Sequence, residues 1–416
     1  MTLDEDLEEA AAGPATGAPG LRRARAWLSR AVEPGTIDFW RFVEHVGPVE
    51  AVRALRSGSA PERVRSLVGA RAGQDATLAD FTRAERCGAR LVIPEDDEWP
   101  ALPLHALTVA VSAEPDDPKH QSGRTMAPVP PLALWVLGTP RLDELVDRSV
   151  AIVGSRASTA YGEHVAGELG HQLGERGWTV VSGGAFGIDG AAHRGALAAG
   201  ASTLAVLACG VDRPYPAAHG ALFHRIAETG LLVSEWPPGC APLRHRFLVR
   251  NRLIAALTRG TVVVEAAARS GAQATAERAR RVGRQVLVVP GPITSAMSVG
   301  CHELLRDREA AATLVASADH VIEAVGGIGT DLAEPLDRPT GPRDGLSDLA
   351  ARVLDACPVR TGVSPERLAA IAGCDVLEVL RVLPALELAD LVQWTGTGWR
   401  LAPAARPGPG TGKHIR

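Results

Sequence analysis

"VAIVGSRASTAYG", Val150 to Gly162, joins an apolar run of strand type to a segment of helical spacing through a Gly-Ser turn. In a parallel α/β layer such a junction lies at the carboxyl end of a strand, where the positive end of the next helix favours an anion. The same alternation recurs downstream. "WTVVSG", "TLAVLA", "LLVSE", "TVVVEA" and "QVLVVPG" are near-continuous apolar runs like "SVAIV", and amphipathic segments such as "EHVAGELGHQLGERG" and "AQATAERARRVG" separate most of them. Buried parallel strands with crossover helices predict an α/β fold, a Rossmann-like, doubly wound and mostly parallel sheet spanning residues 96–325.

The flanks differ in composition. Residues 1–20 are acidic and then Ala/Gly/Pro-rich, which predicts a disordered tail. Short apolar blocks at helical spacing, separated by Gly and Pro, make residues 21–95 a small helical domain. "SAEPDDPKHQSGRTMAPVP", within 112–130, reads as a mobile insertion, and 326–345 has the composition of a linker. From 346 to 402 three helices and a hairpin around Thr395 to Gly398 predict a winged-helix domain, followed by a disordered tail at 403–416. Its third helix offers Arg381 as its one cation, which argues for protein contact or a structural role rather than duplex reading.

With 416 residues, 46% of them hydrophobic, 44 Gly and 30 Pro, the chain is expected to form two or three globular domains. Its apolar runs fall short of the roughly 18 residues of a membrane helix, and its first residues are acidic, so a cytoplasmic protein without a membrane span is expected. Cys87, Cys209, Cys240, Cys301, Cys357 and Cys374 form no C-x-x-C and are expected to be reduced, buried thiols. The net charge of -4 does not announce a nucleic-acid binder, so the distribution of charge must decide.

That distribution is uneven. Gly154-Ser155-Arg156 follows one strand; Ser182, Gly183, Gly184, Gly187 and Asp189 follow a second; Ser270 and Gly271, ahead of Thr275, follow a third; Pro290-Gly291-Pro292 follows a fourth. Small residues let backbone amides approach an anion, and each helix that follows adds its dipole. Turn closure alone would explain one glycine-rich turn, but not the hydroxyl and Arg donors that three of them carry. A row of seats suits a phosphodiester chain better than a mononucleotide.

Beside this row, "RHRFLVRNRLIAAL" places Arg244, Arg246, Arg250 and Arg252 on one helix, with Phe247 and Asn251 interleaved. No carboxylate follows within the helix, so intrahelical pairing cannot neutralise the cluster. Tyr215, near Arg213 in "GVDRPYP", is a candidate platform for base stacking; Phe186 could stack or pack beneath its own loop, and packing is expected. Asp189 is expected to cap its helix or orient neighbouring donors, Glu235 to be a satisfied carboxylate, and His193 and His302 to be structural.

Enzyme signatures are missing. Lys119 and Lys413 are the only lysines and neither has P-loop context; G-x-G-x-x-G, H-E-x-x-H and G-x-S-x-G do not occur. No catalytic residue, cofactor or metal is therefore expected.

The motifs "VGSRASTAYG", "SGGAFGIDGAAHRGAL", "GVDRPYP", "LVSEWPPG", "FLVRNRLIAAL", "VVVEAAARSGAQATAERARRVGRQVLVVPG" and "SVGCHELL", in that order, resemble the DprA/Smf family of DNA-processing proteins across roughly Trp99 to Val325. The resemblance implies a SAM-like helical domain before the Rossmann-like core and a winged helix after it. It also implies a homodimer that binds single-stranded DNA without sequence preference and loads the RecA recombinase. Strand contacts would then come from Arg156, the Ser182 to Gly184 loop, the Tyr215 loop, and Arg250, Asn251 and Arg252. The chain departs from the family pattern at Phe186, commonly Arg or Lys, at Leu248, commonly Pro, and at "GCHELL", commonly "GANxLI". Two alternatives have other chemistry: a Rossmann-like nucleotide phosphoribohydrolase, whose P-G-G-x-G-T loop "PGPITS" does not reproduce, and a nucleotide sensor signalling through the winged helix.

Overall fold

Strands with apolar residues on both faces must be covered on both faces, and the central sheet is built that way. In chain order its strands are β1 (Ala89–Val92), β2 (Leu134–Leu137), β3 (Ser149–Val153), β4 (Thr179–Ser182), β5 (Thr203–Val206), β6 (Leu231–Ser234), β7 (Gly260–Val263), β8 (Gln285–Val288) and β9 (Thr313–Leu314). They lie in the order β1-β2-β6-β5-β4-β3-β7-β8-β9, parallel from β6 through β9, with β1 and β2 added antiparallel at one edge. This computed structural model describes residues 19–113, 127–268, 270–308, 312–327, 331 and 345–403. The chain divides into two units, Met1–Ala333 and Glu334–Arg416.

Alternation along β3 shows how the layers are filled. Ala151 and Val153 join one apolar core, Val150 and Ile152 the other. Ahead of the sheet come α1 (Pro19–Ala31), α2 (Ile37–Val46), α3 (Pro48–Ser57), α4 (Glu62–Val68) and α5 (Thr77–Cys87). On the Ala151 side lie α6 (Ala101–Ser112) and α7 (Leu142–Asp147); on the Val150 side lie α8 (Ala160–Glu175) and α9 (Ile188–Ala198). Next in the chain are α10 (Gly220–Thr229), α11 (Arg244–Ala256), α12 (Gly271–Arg281), α13 (Val299–Arg306) and α14 (Ala318–Val325). Of these, α11, α12 and α13 cover the Ala151 side and α14 the Val150 side.

The N-terminal helices have their own core around Trp27, Leu28, Phe39, Val52 and Val64. Ion pairs from Arg22 to Asp96 at 2.5 Å and from Arg246 to Glu33 at 2.5 Å tie them to the sheet and its helices. Three boundaries differ from the sequence reading. Helix α1 starts at Pro19, inside the tail expected over 1–20. The helical domain expected over 21–95 contains β1, which the sheet claims because its backbone pairs with β2. Of the insertion expected over 112–130, residues 114–126 lie outside the described residues, but Val129 is buried in the core rather than mobile.

Most of the expected linker and nearly all of both tails lie outside the described residues. The second unit holds α15 (Asp348–Ala356), α16 (Pro365–Ala372) and α17 (Val376–Leu388), then the antiparallel hairpin β10 (Val392–Trp394) and β11 (Trp399–Leu401). Val353, Leu368, Val379 and Leu383 fill its core, and α17 starts on a capping box between Asp375 and Glu378. No described helix is long and apolar enough to cross a membrane. All six cysteines are unbridged and buried or half-buried.

One buried group sets an acid limit on stability. The Thr203 hydroxyl donates to the Val180 carbonyl at 2.6 Å, so it accepts from His193 Nδ1, 2.8 Å away; Nε2 is buried without a partner among the described residues. Burial foremost, helped by the nearby charges of His219, Arg250 and Arg194, lowers the His193 pKa to about 3. The folded protein thus keeps this imidazole neutral while the unfolded chain protonates it near its ordinary value. Stability is full above that value and is lost as pH falls toward 3, by about 1.4 kcal/mol per pH unit at most. Urea unfolding of the protein and of His193→Asn between pH 4 and 7 checks this: the variant's slope should be shallower, and equal slopes would contradict it.

Candidate nucleic-acid interface

Four turns meet at the carboxyl ends of β3, β4, β5 and β7. At the end of β3 the Ser155 amide donates to the Glu265 carbonyl at 2.8 Å, and the Glu265 carboxylate accepts from Thr159 N at 2.9 Å and Thr159 Oγ1 at 2.6 Å. This clip fixes the Gly154-Ser155-Arg156 turn and leaves Arg156 exposed. The Arg156 guanidinium lies over the Phe247 ring, 5.2 Å from its centroid, and Phe247 meets Tyr215 edge-on at 5.8 Å. Cation and rings thus form one rim.

The turn after β4 is arranged differently from the sequence expectation. Ser182 is fully buried and donates to the Ile152 carbonyl at 2.6 Å, so it lies under the floor and not at an anion. Asp189 accepts from the amides of Gly183 at 3.2 Å and Ala185 at 3.4 Å, which occupies one expected anion seat. Gly184 and Gly187 serve the turn itself: their φ values are 68° and 74°, and a Cβ on Gly187 would stand 2.4 Å from the Ser155 carbonyl. Gly183 lets Arg250 approach, since a Cβ there would fall 2.5 Å from its Nη1.

Helix α11 distributes its four guanidiniums unequally. Arg252 is 1% exposed; it makes two parallel bonds to Glu235, at 2.5 and 2.6 Å, and a third to the Val129 carbonyl at 2.7 Å. It belongs to the core, contrary to its expected place on the strand. Arg246 is bound by Glu33, whose carboxyl lies below its usual range: burial pushes it up, and bonds from Arg246 and Trp236 outweigh that. The cluster is therefore half neutralised, by carboxylates from outside the helix. Arg244 is exposed, and Arg250, 4% exposed, sits below it.

Arg250 Nη1 donates to the carbonyls of Gly183 and Val206, while Nη2 has no partner among the described residues and Nε is buried without one. Burial lowers its pKa to about 10, with the Asp189 charge opposing, so it is cationic at neutral pH. Burial pushes Asp189 up, and Arg250 holds it back.

These groups enclose a cleft of about 740 Å³. Gly154, Ser155, Arg156, Asp189, Tyr215, Arg250 and Asn251 line it, as do Ser270, Gly271 and Thr275 from the start of α12. Ser270 Oγ caps α12 by accepting from Gln273 N, and the Thr275 hydroxyl donates to the Gly271 carbonyl at 3.1 Å. The helix start turns its positive end to the cleft. Arg213 is exposed on the rim loop but is not part of the lining, and Gly291 accepts from His302 Nε2 instead of facing the cleft.

Arg244 and Phe247, which the sequence places in the basic cluster without singling them out as strand contacts, line the cleft. Phe186 is 47% exposed against His219, not packed beneath its loop.

The sequence profile described as DNA recombination-mediator protein A matches residues 91–326. A Mycobacterium tuberculosis protein named for DNA processing protein DprA is 47% identical over 383 residues, covering 92% of this chain and 95% of its own. The X-ray structure of DNA processing protein A from Streptococcus pneumoniae matches with a TM-score of 0.57 and 30% identity over 73% of this chain and 96% of that one. A Helicobacter pylori DNA processing protein A, described for its single-stranded DNA binding mode, matches over 50% of this chain and 93% of its own at 29% identity and a TM-score of 0.42. The chain belongs to the DNA recombination-mediator protein A family, the DprA/Smf proteins.

Proposed function

We propose that the cleft binds single-stranded DNA without regard to sequence and that the protein, as a homodimer, delivers the strand to the RecA recombinase. The observation that carries the DNA reading is Arg250, a buried guanidinium whose Nη2 lacks a partner among the described residues at the base of a cleft that Arg156 and Arg244 also line. Among the described residues of that lining Asp189 is the one carboxylate, facing three cations. Such a surplus in a partly desolvated groove favours phosphate, and guanidiniums grip it bidentately. The rim of Tyr215 and Phe247 favours unpaired bases, whose faces a duplex hides. Membership of a recombination-mediator family supports the recombinase as partner.

A phosphoribohydrolase would need a carboxylate ready for acid or base work at the strand ends. Asp189 is engaged with two amides and shielded from water, which favours binding over hydrolysis. Competition for a labelled oligothymidylate separates the alternatives: unlabelled single strands should displace it, and duplex or mononucleotides should not. Displacement by mononucleotides at equal phosphate concentration would favour the nucleotide sensor. In the same assay Arg156→Ala should weaken every sequence alike, by about tenfold. Unchanged affinity would remove the rim cation from the site.

A further inference from the structure

Next to the cleft, the turn after β4 carries an aromatic ring with no place in the core. Phe186 is half exposed, and its ring meets His219 edge-on at 4.7 Å. His219 is fixed from behind: Nδ1 donates to the Gly184 carbonyl at 3.0 Å, and the buried Phe223 ring lies 6.3 Å away. A Cβ on Gly190 would stand 2.8 Å from His219 Cε1 and 3.2 Å from Arg194 Nη1, so the imidazole and the guanidinium converge on one spot. Arg194 is exposed and has no hydrogen-bond or ion-pair partner among the described residues. Ala185, the residue before Phe186, lines the cleft, so the ring stands next to the cleft's edge.

We propose that Phe186, His219 and Arg194 form a second nucleotide station: an unpaired base stacks on the Phe186 ring, backed by His219, and Arg194 takes the adjoining phosphate. This deepens the reading of the cleft as a single-strand site and rests on it. Every base has a π face, so such a station adds affinity without sequence preference. The ring is already held by its neighbour, so little freedom remains to be lost on binding.

The test uses the full-length protein and fluorescent oligothymidylates carrying one abasic nucleotide, moved stepwise along the strand. With the wild-type protein, one abasic position outside the cleft should lower affinity by about tenfold, within the range for a base on an aromatic ring. Phe186→Ala should lose a similar factor, stop sensing that position and keep its salt dependence, whereas Phe186→Trp should bind like wild type. Arg194→Ala should make the salt slope shallower by about 0.7. Phe186 is half exposed, so the variants' unchanged thermal unfolding serves as the folding control. If Phe186→Ala binds as wild type while Arg156→Ala is weakened, the second station is overturned and the cleft stands. If neither variant is weakened, both readings fall together.

Discussion

Arg252→Ala is expected to destabilise the protein by about 3–5 kcal/mol, the cost of leaving a buried carboxylate without its cation. Glu235 is 3% exposed and both its oxygens are taken by Arg252, so no water can replace the lost guanidinium cheaply. The Val129 carbonyl loses its donor as well. Replacing both partners by apolar residues of similar volume, Arg252→Met with Glu235→Leu, should recover most of the loss, because it removes the desolvated charges together. Urea unfolding of the single and double variants measures this. The Arg252 single variant, assayed while folded, should bind single-stranded DNA nearly as the wild type does. A stability cost below about 1 kcal/mol with a large loss of affinity would put Arg252 back on the strand.

Arg250→Ala should do the reverse, removing DNA binding by about a hundredfold or more with a smaller change in stability. Its guanidinium joins the β4 turn to the end of β5 through the carbonyls of Gly183 and Val206, and its Nη2 is left for a ligand. Arg250→Lys should retain part of the affinity, since an ammonium keeps the charge but cannot bridge two carbonyls and grip a phosphate at once. Fluorescence anisotropy on variants with native circular dichroism checks both. Binding of Arg250→Ala within about twofold of wild type would show that the buried cation serves the fold alone.

The sheet was legible because its central strands are buried on both faces and therefore read as unbroken apolar runs: "SVAIV" and "TVVVEA" could be placed without any knowledge of their neighbours. The edges were not. β1 has four residues with two half-exposed, and β9 has two, too short for either periodicity or composition to stand out. The strand-end location of the cleft was legible for the same topological reason; of the two roles open for Asp189, capping its helix or orienting donors, the amides of Gly183 and Ala185 show the second. What the sequence could not show was the fate of the Arg cluster. The absence of carboxylates in α11 suggested four available cations, yet Glu33 and Glu235 reach two of them from 213 and 17 residues away. Tertiary pairing of this kind leaves no local pattern. Phe247 was hidden likewise, because its value as a rim residue depends on Arg156 and Tyr215 arriving from other loops.

If guanidiniums and helix starts at the strand ends hold several phosphates of an unpaired strand, the salt dependence of oligothymidylate affinity, measured for the wild type and for Arg156→Ala, must report them. Each neutralised phosphate of a single strand contributes a slope of about -0.7 in log affinity against log salt. A wild-type slope of roughly -2 or steeper is expected, made shallower by about 0.7 in the variant. A flat wild-type dependence, or a variant slope identical to it, would show that the cleft does not hold a row of phosphates.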